Sequence, residues 1–127
     1  MKTSVCALMM MGFLLSCSSD DPSDIRKNFL GNWSFSYELT CTPPGTPTND
    51  TEMVEITKGD GSSTIQLSFE GGLVLTATVL SETLFAIDDT VATIDYSGTG
   101  EFDDDSIEIL ITFSTGGSYC VQEGIAD

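Results

Sequence analysis

The side chains in this sequence that could do chemistry are mostly carboxylates, and the densest group lies in one short segment. Asp103, Asp104 and Asp105 are consecutive, with Glu101 and Glu108 nearby in the chain. Calcium in proteins is bound by about six to eight oxygen atoms, so this segment is a weak calcium candidate. Because it lacks the ligand spacing of an EF-hand, we favour a solvated acidic turn without a metal.

Histidine is absent, which excludes several classes of catalytic site. The chain can have no Ser-His-Asp triad, no histidine general base and no zinc ion bound by histidine. Paired carboxylates could act on a glycosidic bond, but about a hundred residues beyond the N-terminal region leave little room for a deep cleft. We therefore expect neither enzymatic activity nor a cofactor.

The charge balance is strongly acidic, with 4 basic and 20 acidic residues and a net charge of −16. A surface of this charge repels phosphate groups, so nucleic acids and anionic lipid headgroups are poor partners. The charge favours cations, basic proteins or simple solubility.

The first sixteen residues differ in kind from the rest of the chain. Met1 and Lys2 give a positive start, and residues 5–15 are almost all apolar. This run of eleven residues is too short to cross a bilayer, which needs roughly 20. A positive start, a short apolar centre and small residues at the exit are typical of a secretory signal peptide.

The exit of this segment, Leu14-Leu15-Ser16-Cys17, resembles the lipobox of bacterial lipoproteins. The resemblance implies cleavage directly before Cys17, loss of residues 1–16 and acylation of the new first residue. Two or more acyl chains would anchor the protein stably in a membrane without a spanning helix. The alternative is an ordinary signal peptide followed by an incidental cysteine.

Residues 17–24 are polar and acidic, which predicts a flexible tether before a single domain at 25–127. The acidic stretch resembles a signal that, in one group of Gram-negative bacteria, directs lipoproteins to the outer face of the outer membrane. The resemblance implies a protein of the outer membrane that could be exposed at the cell surface.

Four cysteines occur in the chain, and the lipobox reading accounts for two of them. Cys6 would leave with the signal peptide and Cys17 would carry lipid. Cys41 and Cys120 remain, and an even remainder in an oxidising compartment predicts a disulfide. Two buried free thiols are the alternative.

Alternating apolar and polar residues predict an all-β domain. The clearest strand covers residues 33–40, and one short helical turn over residues 24–30 precedes it. The same alternation predicts seven more strands, separated by turn residues, at 53–57, 65–70, 73–80, 83–87, 91–96, 107–113 and 118–123. Residues 88–90 and 97–100 are predicted turns.

The helical turn followed by Gly31-x-Trp33 at the head of the first strand resembles the lipocalins and lipocalin-like β-barrels. In those proteins this tryptophan packs against the closed end of the barrel. Many lipocalins stack an arginine on it, whereas this chain has no arginine after Lys58, so we identify a lipocalin-like domain. The expected fold is about eight antiparallel strands in a meander that closes as a barrel, with a β-sandwich as the alternative.

The two remaining cysteines favour the barrel. Cys41 ends the first predicted strand and Cys120 lies in the last, and these strands are neighbours in an up-and-down barrel. The Cα atoms of a disulfide are usually about 4.4 to 6.8 Å apart, so the bond would link the two strands at the seam where the barrel closes. A sandwich of the immunoglobulin type would place a tryptophan between its cysteines, but Trp33 precedes both.

Six aromatic residues could face inward, either around a ligand cavity or in a filled core: Trp33, Phe35, Tyr37, Phe69, Tyr96 and Phe113. Eight-stranded barrels do either, and short strands favour the filled core. We expect a lipid-anchored protein of the cell envelope that binds a small apolar ligand or an envelope protein. The alternative is a structural or assembly component without a small-molecule ligand.

Overall fold

A computed structural model describes residues 24–43 and 45–127, in which eight antiparallel strands form a closed barrel. The strands follow in chain order, and the first pairs with the last: β1 (Gly31–Thr42), β2 (Thr48–Lys58), β3 (Thr64–Phe69), β4 (Val74–Ser81), β5 (Leu84–Val91), β6 (Ile94–Asp103), β7 (Ser106–Thr115) and β8 (Ser118–Ala126). The predicted all-β meander and its closure are confirmed, and the sandwich is excluded. The predicted signal peptide and Cys17 lie outside the described residues.

Side chains fill the interior of the barrel because apolar residues alternate along almost every strand. The inward residues of the middle layers are at most 7 % exposed and include Phe35, Val54, Ile56, Leu67, Leu75, Phe85, Ile107 and Ile109. Complete burial of one such side chain contributes about 1.5–3 kcal/mol. No helix in the described part of the chain is long and apolar enough to span a membrane.

The segment before β1 plugs one end of the barrel, which we call the closed end. It is a pair of overlapping turns, in which the Lys27 and Phe29 amides donate to the Asp24 and Arg26 carbonyls at 3.3 and 2.9 Å. The Phe29 side chain is fully buried, and its ring lies edge-on to that of Phe85 at 5.1 Å between centroids. The predicted helical turn is therefore the plug of the barrel.

The predicted disulfide is confirmed at the seam. Cys41 in β1 lies directly opposite Cys120 in β8, with an S–S distance of 2.10 Å and a Cα–Cα distance of 4.0 Å. The bond therefore adds a covalent link to the backbone hydrogen bonds that join the first and last strands.

The predicted boundaries between residues 88 and 100 are wrong. Strand β5 runs through the predicted turn at 88–90, and β6 contains the predicted turn at 97–100. The chain reverses instead at Ala92 and Thr93, with φ angles of 51° and 66°. Two consecutive residues with positive φ are typical of a type I′ hairpin turn, which usually contains Asn and Gly, so this turn lacks its sequence signal.

Glycines in β6 explain why residues 97–100 were predicted as a turn. They face inward, at positions where neighbouring atoms leave no room for a side chain. Gly100 pairs with Phe85, and a Cβ atom at Gly100 would overlap the Phe85 ring. A Cβ atom at Gly98 would overlap the carbonyl oxygen of Leu110. The Ser-Gly-Thr-Gly composition therefore serves packing within a strand and does not mark a turn.

This packing predicts that Gly100→Ala destabilises the barrel by about 1–3 kcal/mol, because the added methyl group must displace the buried Phe85 ring. Gly71→Ala is the matched control, since a Cβ atom at Gly71 meets nothing within 4 Å. Urea unfolding of the oxidised proteins measures both changes. Equal midpoints for the two variants would contradict the packing role of Gly100.

Candidate functional site

The two ends of the barrel differ in how they are covered. At the closed end the plug is attached to two loops: the Arg26 guanidinium donates to the Gly61 and Thr64 carbonyls at 2.9 and 3.2 Å, and the Asn28 amide donates to the Glu82 carbonyl at 3.0 Å. The opposite end carries the connections β1–β2, β3–β4, β5–β6 and β7–β8. The closed end is therefore covered by the plug, and a binding surface is expected at the other end.

Apolar side chains at that other end are only half-buried. We call this surface the mouth and define it by five residues that pack on the core: Tyr37, Leu73, Val91, Tyr96 and Phe113. The Tyr96 and Phe113 rings lie 5.2 Å apart, and the Tyr37 ring lies 5.0 Å from that of the fully buried Phe35. The mouth is therefore the part of the core, rich in aromatic rings, that contacts solvent at the end opposite the plug.

The six aromatic residues predicted to face inward are divided among three places. Phe35 and Phe69 belong to the filled core, at 0 % and 7 % exposure. Trp33 lies near the closed end, where its indole N–H donates to the Phe29 carbonyl at 2.8 Å. The remaining three, Tyr37, Tyr96 and Phe113, form part of the mouth. The six therefore do not surround a single site.

Glu52 lies beside the mouth, next to Tyr37, and the sequence patterns did not reveal it. It lies on the inner face of β2, two residues before the buried Val54. Burial raises the pKa of its carboxyl, and the nearby charges of Glu70 and Asp50 raise it further, whereas hydrogen bonds from the Gly71 amide and the Tyr37 hydroxyl lower it. The pKa of Tyr37 is raised by its burial and by Glu52 and Asp50. The alternation of β2, extended two residues backwards, was the available signal.

Asp89 is a second carboxylate at this end, and it completes the barrel wall. Pairing between β4 and β5 reaches only as far as Ala77 and Ile87. Beyond that point, the Asp89 carboxylate accepts hydrogen bonds from the Thr76 and Thr90 amides at 2.9 and 2.8 Å. The Asp89 side chain therefore links β5 to Thr76 of β4 beyond the last backbone pair of these strands. This role is structural.

The basic residues of the described chain lie at the closed end. Arg26 and Lys58 approach the Asp24 carboxylate at 2.9 and 3.3 Å, and Lys27 lies in the same turn. Hydrogen bonds from Arg26 hold the pKa of Asp24 well below its usual range, and Asp24 in turn raises the pKa of Arg26. These ion pairs fasten the plug, and the rest of the barrel surface is acidic.

The weak calcium candidate, Asp103 to Asp105, lies at the turn between β6 and β7, and all three residues are exposed. Asp104 has a φ angle of 65°, as expected for a tight turn. Within residues 24–43 and 45–127, no group of three or more acidic or cysteine side chains is arranged to bind a metal ion.

Like charges face one another in two shallow grooves on the outer wall. Glu38 lies opposite Glu123 across the β1–β8 seam, in a groove of about 530 Å³. Glu101 lies opposite Glu108 across β6–β7, in a groove of about 500 Å³. Opposed like charges destabilise a sheet, so these pairs do not contribute to the stability of the fold.

Comparison with known proteins identifies the fold but no family. No family model matches the chain, and no curated protein matches it. Among solved structures, it is similar to a protein of unknown function from the DUF3598 family of Nostoc punctiforme PCC 73102, with a TM-score of 0.58 and 11 % sequence identity. The match covers 79 % of this chain and 47 % of that protein, so this chain spans about half the length of its neighbour.

The position of Glu52 predicts a pH-dependent effect on stability. Because the folded state raises its pKa, mainly through burial, the charged form opposes folding once the pH exceeds the ordinary pKa of a glutamate. Glu52→Gln removes that charge and keeps an oxygen that can accept hydrogen bonds. We therefore expect a higher urea midpoint than wild type at pH 7, and a gain that disappears below the ordinary glutamate pKa. A gain of the same size at both pH values would contradict this account.

Proposed function

We propose that this protein is a non-enzymatic lipoprotein of the bacterial cell envelope, in which lipid at Cys17 anchors the barrel as a binding module. The observation that carries the proposal is the sequence Leu14-Leu15-Ser16-Cys17 at the end of a short apolar run. Acyl chains on Cys17 would supply stable membrane attachment without a spanning helix. The tether that follows joins this anchor to an independent domain.

The acidic residues of the tether support a location at the outer membrane. Asp20 and Asp21 follow the cysteine closely, and their similarity to a surface-export signal favours exposure on the outer face. A strongly acidic domain on that face would remain soluble and would attract basic partners.

A protein partner is favoured over a small ligand held inside the barrel. The inward side chains of the middle layers are almost fully buried against one another, and Phe29 occupies the closed end. Binding would therefore use the mouth or the outer wall. The same filled core also supports the second candidate, a structural or assembly component of the envelope.

The anchor is tested with Cys17→Ala and, as a matched control, Cys6→Ala. The first variant loses the only thiol at the proposed acylation site, so we expect it to leave the membrane fraction. The second changes a residue that cleavage would remove, so it should partition like wild type. Cell fractionation and immunoblotting measure both. Membrane retention of the Cys17→Ala protein would refute lipid anchoring at this residue.

A further inference from the structure

The tether reaches the barrel at its closed end. Asp24, the first described residue, is held there by Arg26 and Lys58, and Arg26 also binds the Gly61 and Thr64 carbonyls. These contacts involve the connection between β2 and β3, on the side of the barrel opposite the mouth. The tether therefore joins the domain at Asp24, and the length of the barrel separates this point from the mouth.

The length of the tether limits how the barrel can face a membrane. Asp24 is seven residues from Cys17, and seven extended residues span at most about 25 Å. Strands of ten residues such as β6 and β7, at about 3.3 Å per residue and about 40° tilt, make a barrel roughly 25 Å tall. Placing the mouth on the membrane would need the whole tether fully extended along the wall, whereas placing the closed end there needs none of that extension.

The mouth has the chemistry of a docking surface. Its aromatic and aliphatic side chains are half-buried, and the core beneath it is filled, so a partner can cover this surface without entering the barrel. Asp50 and Glu52 lie near Tyr37, and Glu70 lies near Glu52, whereas the basic residues of the described chain lie at the closed end. Apolar contact would bury the rings, and cationic side chains would meet both the carboxylates and the aromatic faces.

We infer that the mouth docks a basic segment of a partner protein and that the tether presents it away from the membrane. The orientation rests on the proposed lipid anchor at Cys17. The docking does not, because it depends only on the surface of the barrel, and so the two parts are tested separately.

Orientation is tested with the lipidated full chain in phosphatidylcholine vesicles that contain an energy-acceptor lipid. A fluorescent amino acid replaces Ser62 at the closed end or, in a second variant, the exposed Ser114 near the mouth. We expect stronger energy transfer from position 62 than from position 114. Equal transfer, or stronger transfer from position 114, would overturn the orientation. A chain that does not bind the vesicles would contradict the anchor itself.

Docking is tested in solution with the full mature chain carrying Cys17→Ala and a capped ten-residue peptide of alternating lysine and leucine. Backbone amide shifts should map to the mouth, and glutamine in place of lysine in the peptide should weaken binding at least tenfold. Glu52→Gln should weaken binding at least threefold. Glu101→Gln, which removes the same charge from the outer wall near the closed end, should not.

Three results would overturn the docking surface. Equal weakening by the two glutamate variants, or shifts spread over the closed end, would indicate general charge attraction. Hexylamine alone, binding at the mouth as tightly as the peptide, would identify a small organic cation as the ligand. The urea midpoint of each variant is measured beside its binding, so that weakening through a changed mouth is separated from weakening through loss of the fold, and Tyr96→Leu is a second mouth variant that should weaken binding.

Discussion

Closure of β1 onto β8 is the constraint on which the rest of this structure depends. Strand β1 is twelve residues long, and it pairs with β2 from Gly31 to Leu39 and with β8 from Phe35 to Thr42. Such a closed meander has no free edge strand. Because the two ladders use the same strand, the segment before β1 must lie at one end of the barrel, where Phe29 becomes the plug. The Cys41–Cys120 bond reinforces this closure near the other end.

Two chemically different ends follow from the closure. The plug brings Arg26 and Lys27 to the closed end, where β2 ends at Lys58, and Asp24 forms ion pairs with Arg26 and Lys58. The mouth keeps aromatic side chains together with Glu52 and its acidic neighbours. Opposed glutamates on the outer wall do not stabilise the sheet, so the acidic surface is not explained by the stability of the fold.

Sequence patterns predicted the number of strands and the pairing of the cysteines, because alternation and cysteine count are strong local signals. They predicted the strand and turn boundaries between residues 88 and 100 incorrectly. The glycine-rich sequence of β6 resembles that of a turn, although its glycines face the interior of the barrel. The actual turn at Ala92 and Thr93 contains neither Asn nor Gly, the residues usual in such a turn. The alternation of β2 was the available signal for the inward position of Glu52, which the prediction missed. The contact of Glu52 with Tyr37 depends on pairing between strands and could not be predicted from local sequence. The division of the six aromatic residues among core, plug and mouth likewise required the three-dimensional register.

The central proposal is one acylated cysteine before a disulfide-closed barrel, and its most direct test is the intact mass of the protein isolated from bacterial membranes. We expect a chain that begins at Cys17, carries the mass of at least two acyl chains on that residue, and lacks two hydrogens because Cys41 and Cys120 are joined. A chain that begins elsewhere, or an unmodified Cys17, would contradict it.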